Sequence, residues 1–208
     1  MSEMPEKYTL TRGQKFYNHI KRVIDFVMAF LGIIILSPVA VAIWIAIKFE
    51  DGWKAHVFFD QKRIGLRKKE FNLFKFRSMR VDAPHEVATH LLKDPEQYVT
   101  KVGRFIRKTS LDELPQLFNI LKGDMSVCGP RPALWNQFDL IDLREKYGVH
   151  EIKPGLTGWA QIHGRDELEI PEKVRQDVYY LRHLSFGLDV KCFLKTIGAV
   201  LKKEGNAG

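Results

Sequence analysis

Residues 23–47 read VIDFVMAFLGIIILSPVAVAIWIAI, and this apolar run decides the architecture of the chain. Asp25, close to the start, is its only charged residue. At ~1.5 Å per residue, a straight helix of this length would measure about 37 Å, which exceeds a hydrocarbon core of about 30 Å. The run therefore predicts a membrane helix, and three paths are open to it: a straight span, a re-entrant hairpin or a buried soluble helix.

Two features favour the re-entrant path, in which the chain enters and leaves the membrane on one face. Ser37 and Pro38 lie past the middle of the run, and proline kinks a helix because it removes a backbone donor and crowds the preceding turn. Basic residues also flank both ends, among them Lys21 and Lys48. Basic flanks favour the cytoplasmic side, so both ends are expected there. We therefore predict a membrane helix–break–helix over residues 21–48.

The rest of the chain has the composition of a basic α/β domain. The 208 residues carry a formal net charge of +8, which implies an anionic partner such as nucleic acid, anionic lipid or a phosphorylated substrate. Residues 1–20 read as a polar or amphipathic lead-in and residues 49–208 as one compact domain, mainly helical with a small β-hairpin. The two cysteines are too few for a thiolate zinc site and argue against a disulfide framework.

Hydrophobic periodicity and turn signals predict the elements of this domain. Residues 56–61 and 71–76 read as two strands joined by a glycine-containing turn. The pattern at residues 111–121 predicts a helix, with Ser110 as its N-cap. Residues 153–165 read as loop and turn. The remaining predicted helices cover residues 85–92, 102–107, 135–147, 171–184 and 189–203.

Residues 109–115, TSLDELP, contain two adjacent carboxylates at the start of a predicted helix. Asp112 and Glu113 could simply stabilise the helix there, because its N-terminus carries partial positive charge. Arg107, just upstream, favours a second interpretation. Carboxylates can hold Mg²⁺ together with substrate phosphates, while arginines bind the other phosphate oxygens. This combination suits nucleotide-diphosphate chemistry.

Two further motifs are candidates for binding. Residues 129–132, GPRP, place Arg131 between two prolines, which reduces the entropy lost in presenting its guanidinium. An ordinary turn with a solvated arginine is the alternative. Residues 153–165, KPGLTGWAQIHGR, combine glycines, which let a backbone approach a ligand closely, with the aromatic face of Trp159.

Together, these residues resemble a known family, the bacterial sugar transferases called monotopic phosphoglycosyl transferases. Five stretches occur in the family's order and extend over most of the chain, from about residue 21 to about residue 202. One departure is Ala55-His56, where family members often carry Gly-Pro. The five stretches are the apolar run with its Ser-Pro pair, KFRSM at 75–79, LDELPQ at 111–116, GPRP at 129–132 and residues 153–165.

The resemblance implies an enzyme of the bacterial inner membrane whose catalytic domain lies on the cytoplasmic face. Asp112 would attack the β-phosphate of a UDP-sugar, release UMP and form an aspartyl phosphosugar, which undecaprenyl phosphate would then accept. Mg²⁺ is the implied cofactor. Glu113 matches the second member of the dyad, and Asp112 and Glu113 are both expected metal ligands. The residues expected to bind substrate are Lys75, Arg77, Arg107, Arg131 and Arg165.

Several functional questions stay open at the level of sequence. Anionic membrane lipid is an expected partner because of the basic surplus near the anchor, and a homodimer would be compatible with the chain. Nucleic acid is not expected, because the phenylalanines lie in the apolar run or at core spacing and no recognition motif is present. A catalytically inactive membrane scaffold that binds partner glycosyltransferases is the alternative function. Nothing in the residues selects the donor sugar or the glycan pathway.

Overall fold

The computed structural model describes residues 6–80, 82–83, 95–164 and 168–201. Within these ranges the fold is mainly helical with two small sheets, as the sequence predicted. The predicted helix at 85–92 lies outside the described residues. The helices are α1 (Arg12–Asp51), α2 (Lys101–Lys108), α3 (Gln116–Lys122), α4 (Phe138–Tyr147), α5 (Ile170–Arg182) and α6 (Phe186–Leu201), and the strands are β1 (Phe58–Ile64), β2 (Glu70–Phe76), β3 (Ser126–Cys128) and β4 (Gly155–Thr157).

Helix α1 begins well before the apolar run, because a capping box fixes its start. The Thr11 hydroxyl accepts a hydrogen bond from the Gln14 backbone N–H at 3.2 Å, and the Gln14 side chain accepts one from the Thr11 N–H at 3.0 Å. These bonds satisfy backbone donors that a helix start otherwise leaves unpaired. Much of the expected lead-in at residues 1–20 is therefore helical, and α1 reaches 40 residues.

The helix also continues through Ser37 and Pro38, which corrects the expected division into two helices. A proline at position 38 leaves the carbonyl of Ile34, four residues earlier, without its usual backbone donor. The Ser37 hydroxyl donates to that same carbonyl at 2.8 Å. In an apolar environment an unpaired carbonyl is costly, so this bond replaces the one that proline removes.

One side of α1 packs on the domain and the other is exposed. Ala29 is completely buried beside Ile120 and Tyr180, while Ile43 and Ile47 are buried in a second cluster near the end of the helix. Among the described residues, α1 is the helix long and apolar enough to cross a membrane, and only 11% of its most apolar 18-residue window is buried. A core helix of a soluble protein would be largely buried by other parts of the chain. Helix α1 therefore has an apolar face that the rest of the described protein does not cover.

The predicted hairpin is confirmed. Strands β1 and β2 pair antiparallel, with Phe58 opposite Phe76 and Ile64 opposite Glu70. Asn119, fully buried on α3, bonds to the backbone of β2: its side-chain oxygen accepts from the Phe74 N–H at 3.0 Å, and its amide donates to the carbonyl of Asn72 at 2.7 Å. This amide fastens α3 to β2.

Strands β3 and β4 pair in parallel, and glycines let their backbones approach one another. A Cβ placed on Gly158 would lie 2.0 Å from the carbonyl oxygen of Gly129, and one on Gly155 would lie 2.1 Å from the Gly129 nitrogen. The glycines at 155 and 158 were predicted to admit a ligand. In the structure they bring residues 153–165 directly onto the GPRP segment, and the ligand contact stays a prediction.

We predict that Gly158→Ala destabilises the protein by about 1–3 kcal/mol, because overfilling a packed contact costs this much. Gly198→Ala on α6 is the matched control, since an added Cβ there meets nothing within 4 Å. The control should be neutral or stabilising by about 0.5–1 kcal/mol, because alanine favours the helix. Thermal unfolding of both variants in detergent compares them, and equal midpoints would contradict the close backbone approach.

Candidate active site

The two candidate carboxylates lie in a short 3₁₀ turn, Leu111–Glu113, between α2 and α3. The sequence predicted one helix over residues 111–121 capped by Ser110, and this is wrong. Ser110 adopts a left-handed conformation with φ of 56°, and its side chain makes no capping hydrogen bond. Helix α3 starts only after Pro115, which lacks the N–H needed to continue a helix from the preceding turn.

Two cations converge on Glu113. The Lys75 ammonium nitrogen and an Arg131 guanidinium nitrogen each lie 3.1 Å from the same oxygen, Oε1. Lys75 also lies 3.6 Å from Oδ2 of Asp112. The sequence predicted all four residues as site residues, and the structure brings them together. Lys75 comes from β2 and Arg131 from the segment after β3, so the site exists only in the folded chain.

The two neighbouring carboxylates are electrostatically different. Asp112 is only 8% exposed, and burial, together with the charge of Glu113, raises its pKa despite the opposing effects of Lys75 and Arg107. Burial also disfavours ionisation of Glu113, but Lys75 and Arg131 outweigh it and hold the pKa of Glu113 well below its ordinary range. Glu113 is therefore a fixed anion, while Asp112 is the more basic member of the pair.

The other predicted binding residues, Arg107, Arg77 and Arg165, are not all placed at the dyad. Arg107, at the end of α2, acts electrostatically on Asp112, in agreement with a place near the dyad. Arg77 is 9% exposed and acts on the carboxylate of Asp51 at the end of α1. No contact between Arg77 and the dyad is seen in the described part of the chain. Arg165 lies outside the described residues.

A buried ion pair that sequence reasoning missed supports Arg131. Arg144 on α4 donates to Oδ2 of Asp177 on α5 through two nitrogens, at 2.9 and 2.6 Å, and both residues are at most 2% exposed. A third nitrogen of Arg144 donates to the backbone carbonyl of Arg131 at 2.8 Å. The sequence did contain one sign that Asp177 is buried. It falls at helical spacing between Val174 and Leu181, on the apolar face of its helix.

A cavity of about 340 Å³ adjoins the dyad. Glu113 and Arg131 line it together with Ser110, and most of its remaining wall is apolar. Helices α1 and α6 and the start of α3 supply that wall. Its apolar lining includes Met28, Gly32, Leu36, Leu117, Phe193 and Ile197. The cavity combines a few charged and polar groups with a largely apolar wall, a lining that suits a ligand with both an anionic and an apolar part.

Comparison with known proteins shows which family the chain belongs to. The model of the family described as "Bacterial sugar transferase" matches residues 16–203, which is most of the chain. The chain belongs to this family. Its resemblance to bacterial sugar transferases, drawn from five short stretches, is therefore confirmed over nearly its whole length.

Several curated relatives of this bacterial sugar transferase carry informative names. "Uncharacterized sugar transferase EpsL" of Bacillus subtilis is 42% identical over 191 residues, covering 89% of each chain. "UDP-N-acetylgalactosamine-undecaprenyl-phosphate N-acetylgalactosaminephosphotransferase" of Aeromonas hydrophila is 39% identical over 91% of this chain and 45% of its own. "UDP-glucose:undecaprenyl-phosphate glucose-1-phosphate transferase" of Escherichia coli is 42% identical over 86% of this chain and 39% of its own. The chain thus spans most of EpsL but less than half of these two larger relatives.

The Arg144–Asp177 pair gives a prediction on stability. Asp177→Asn should destabilise the protein by about 3–5 kcal/mol, because it leaves the Arg144 charge buried without a counter-charge. The matched control is Glu172→Gln on the same helix, where the ion pair with Arg175 is exposed and worth at most about 1 kcal/mol. Denaturant unfolding in detergent measures both variants. If Asp177→Asn lowers the free energy of unfolding no more than the control does, a structural role for the pair is contradicted.

Proposed function

We propose that this protein transfers a sugar 1-phosphate from a UDP-sugar to undecaprenyl phosphate. The observation that carries the proposal is the buried Asp112–Glu113 dyad, held by Lys75 and Arg131 beside a cavity that α1 partly walls. The names of the Aeromonas and Escherichia relatives support the same donor and acceptor classes. The inactive-scaffold alternative draws no support from this site, where both carboxylates and their cations are present.

In the first step, a carboxylate oxygen of Asp112 forms a bond to the β-phosphorus of the UDP-sugar. The bond between that phosphorus and the bridging oxygen of the diphosphate breaks, and UMP leaves with the oxygen and its electron pair. The sugar phosphate stays on Asp112 as an acyl phosphate. A raised pKa supports this role, because a more basic carboxylate is a stronger nucleophile once ionised.

In the second step, a phosphate oxygen of undecaprenyl phosphate bonds to the same phosphorus. The bond to Asp112 breaks, the carboxylate is restored and undecaprenyl diphosphate-sugar departs. Two displacements at one phosphorus replace a direct transfer between two anionic substrates. The acceptor attacks with an oxygen that is already ionised, so this step needs no general base.

Glu113, Lys75 and Arg131 act by position and charge. Glu113 stays ionised and holds the two cations in place through its oxygen Oε1. The cations in turn offset the negative charge that a diphosphate brings to the site. Fixed charges of this kind stabilise a transition state because they need not reorganise as the reaction proceeds.

The dyad also fits a role in holding Mg²⁺, which would neutralise charge on the diphosphate when bound. Asp112 and Glu113 provide hard oxygen ligands, and the ion pairs that Lys75 and Arg131 form with Glu113 both end on the oxygen Oε1. Among the described residues there is no group of three or more His, Cys, Asp or Glu side chains able to hold a metal. Substrate phosphates would therefore supply the other ligands, as is usual for Mg²⁺.

We place α1 in the inner membrane with both its ends on the cytoplasmic face. A straight 40-residue helix would be about 60 Å long, roughly twice the hydrocarbon thickness, so part of it must leave the bilayer or bend. Pro38 supports a bend, since its ring crowds the preceding turn and its missing N–H is compensated by Ser37. Basic residues at both ends favour the same face.

Asp112→Asn tests the proposed nucleophile. We expect UMP release from the preferred UDP-sugar, with Mg²⁺ and undecaprenyl phosphate, to fall by about a thousandfold or more, the scale seen when a covalent nucleophile is removed. Intact-mass spectrometry of wild type with donor alone should show an added sugar phosphate that the variant lacks. Asp142→Asn, an exposed aspartate on α4, is the control. Full activity of Asp112→Asn would remove this residue as nucleophile.

The charges around the dyad predict a pH dependence. The value of kcat/KM for the UDP-sugar should fall as Asp112 becomes protonated, with an apparent pKa above the ordinary value of 3.8. Lys75 stabilises the ionised carboxylates, so Lys75→Met should raise this pKa and shift the acid limb to higher pH. Measuring kcat/KM against pH for both proteins tests the sign. An acid limb that stays in place or moves to lower pH would contradict it.

A further inference from the structure

Two positively charged side chains face each other beside Gly123, the residue that ends α3. A Cβ placed on Gly123 would lie 3.2 Å from Nη2 of Arg22 and 3.4 Å from the ammonium nitrogen of Lys153. Like charges repel, so holding two of them at one glycine costs free energy unless an anion joins them. Lys153 begins the motif at 153–165, yet it has no part in the candidate active site.

The carboxylates near these two cations are engaged elsewhere. Within the part of the chain that the structure describes, neither Arg22 nor Lys153 forms an ion pair with a carboxylate. Asp124 lies 3.1 Å from Lys122, and Asp25 accepts a backbone N–H of β3 at 3.0 Å. Burial and the charge of Arg22 lower the pKa of Lys153, although the two carboxylates act against them. The repulsion between the two cations is therefore not cancelled by a bonded counter-ion.

Arg22 keeps its position because it also caps α3. Its two terminal nitrogens donate to the carbonyls of Ile120 and Leu121, at 2.6 and 2.7 Å. These carbonyls belong to the end of α3, where a helix carries partial negative charge. The guanidinium is thus held in one place, and its fork has further N–H groups for a ligand. A fixed cation of this kind loses little entropy when it binds an anion.

Aromatic side chains lead away from the cations along two helices, α1 and α3. Phe26 and Phe30 follow Arg22 at four-residue intervals, are about half exposed and stack with ring centroids 6.4 Å apart. On α3, Phe118 lies one turn before Lys122 and is also half exposed. Residues four apart share a helix face, so each helix presents a cation at one end of an aromatic row.

The two aromatic rows run side by side and in the same direction. Arg22 lies against the end of α3, whereas Gly32, further along α1, lies near its start. A Cβ on Gly32 would be 3.3 Å from a methyl carbon of Leu117. The helices are therefore antiparallel, which places Lys122 near Arg22 and Phe118 further along α1. Both rows thus lead from the cations toward the middle of the apolar run.

A molecule with an anionic head and hydrocarbon chains fits this arrangement. Arg22 directly precedes the apolar run at 23–47, so the cations lie at the level of a membrane surface. A phosphate at that level would accept hydrogen bonds from Arg22 and Lys153, and hydrocarbon would cover the aromatic rows. A soluble phosphorylated ligand would leave those rows uncovered.

The aromatic rows are separate from the cavity beside the dyad. Met28 and Gly32 line that cavity, and Phe26 and Phe30 are each displaced from them by two positions along α1. At ~100° per residue this displacement is about 200°, which is the opposite side of the helix. Lys153 is not among the residues that line the cavity.

We propose that Arg22, Lys122 and Lys153 bind the phosphate of an anionic phospholipid whose chains lie along the aromatic rows. The inference goes beyond the transfer reaction and does not depend on it. Such a lipid would hold the start of α1 at a fixed depth and, through Arg22, would steady the end of α3. A zwitterionic phospholipid offers the same phosphate but adds a positive charge, which the three cations would repel.

Native mass spectrometry of the purified protein in a neutral detergent measures lipid binding directly. Phosphatidylglycerol should bind about tenfold more tightly than phosphatidylcholine. Lys153→Met should weaken phosphatidylglycerol binding about tenfold, the loss expected for one charge-assisted hydrogen bond. Lys69→Met is the matched control, because it removes the same charge from an exposed lysine between β1 and β2. Thermal unfolding should show that Lys153→Met is at least as stable as wild type, since it relieves the repulsion from Arg22.

A photocrosslinker tests where the chains of the lipid lie. Phe118→p-benzoylphenylalanine should crosslink to phosphatidylglycerol in nanodiscs, and the yield should fall when Lys153→Met is added. The same replacement at Phe138, which is 64% exposed on α4 and outside both rows, is the control. Equal yields at the two positions would contradict the proposed path of the chains.

Three results of the binding experiment would overturn the site. The first is equal affinity for the two phospholipids. The second is an effect of Lys153→Met no larger than that of Lys69→Met, which would mean that the attraction is spread over the whole basic surface. The third is displacement of the lipid by inorganic phosphate at equal concentration, which would identify a site for free phosphate. None of these measurements uses a UDP-sugar, so failure of the lipid site and failure of the proposed transfer are separately visible.

Discussion

The packing of α1 on the rest of the domain depends on one buried ammonium group, that of Lys21. Lys21, 7% exposed near the start of α1, lies 2.6 Å from Asp189 on α6 and 3.8 Å from Asp25 on its own helix. Asp25 accepts the N–H of Val127 in β3 at 3.0 Å, and Asp189 also accepts the hydroxyl of Tyr180. An ion pair taken out of water contributes little net free energy, but removing one partner is costly. The cluster therefore fixes the position of α1 relative to β3 and α6 more than it adds stability.

The candidate active site depends on that placement of α1, because the segments that carry its residues pack on β3 and on the helices around it. Strand β3 leads directly to the segment that carries Arg131, and Arg144 holds the backbone of that segment through its carbonyl. Strand β2, fastened by Asn119, presents Lys75 from the other side. The cations meet on Glu113 because two separately fixed backbones converge there. Lys75 lies on a strand and Arg144 fixes the backbone that carries Arg131, so the candidate site is held more rigidly than it would be on free loops.

The sequence predicted much of this arrangement, and its failures have physical causes. The hairpin followed from periodicity and turn signals, and the grouping of Asp112, Glu113, Lys75 and Arg131 followed from the family resemblance. The Ser110 cap was wrong because the apolar spacing over residues 111–121 was given more weight than Pro115, which ends the first turn and starts α3 separately. The close packing of Gly155 and Gly158 on Gly129 was not predicted, because backbone packing between distant segments leaves no mark in local sequence. The Arg144–Asp177 and Lys21–Asp189 ion pairs were missed because their partners lie far apart along the chain.

The stripe that α1 buries has a consequence for how this protein is made. Ala29 lies in one core cluster, and Ile43 and Ile47 lie in another together with Phe76. The helix is therefore not a detachable tether, because trimming it away to obtain a soluble fragment would open both clusters to water. During biosynthesis the N-terminal helix leaves the ribosome first, but the later segments complete their packing only against it. Formation of α1 and folding of the rest of the domain are thus successive stages of one process.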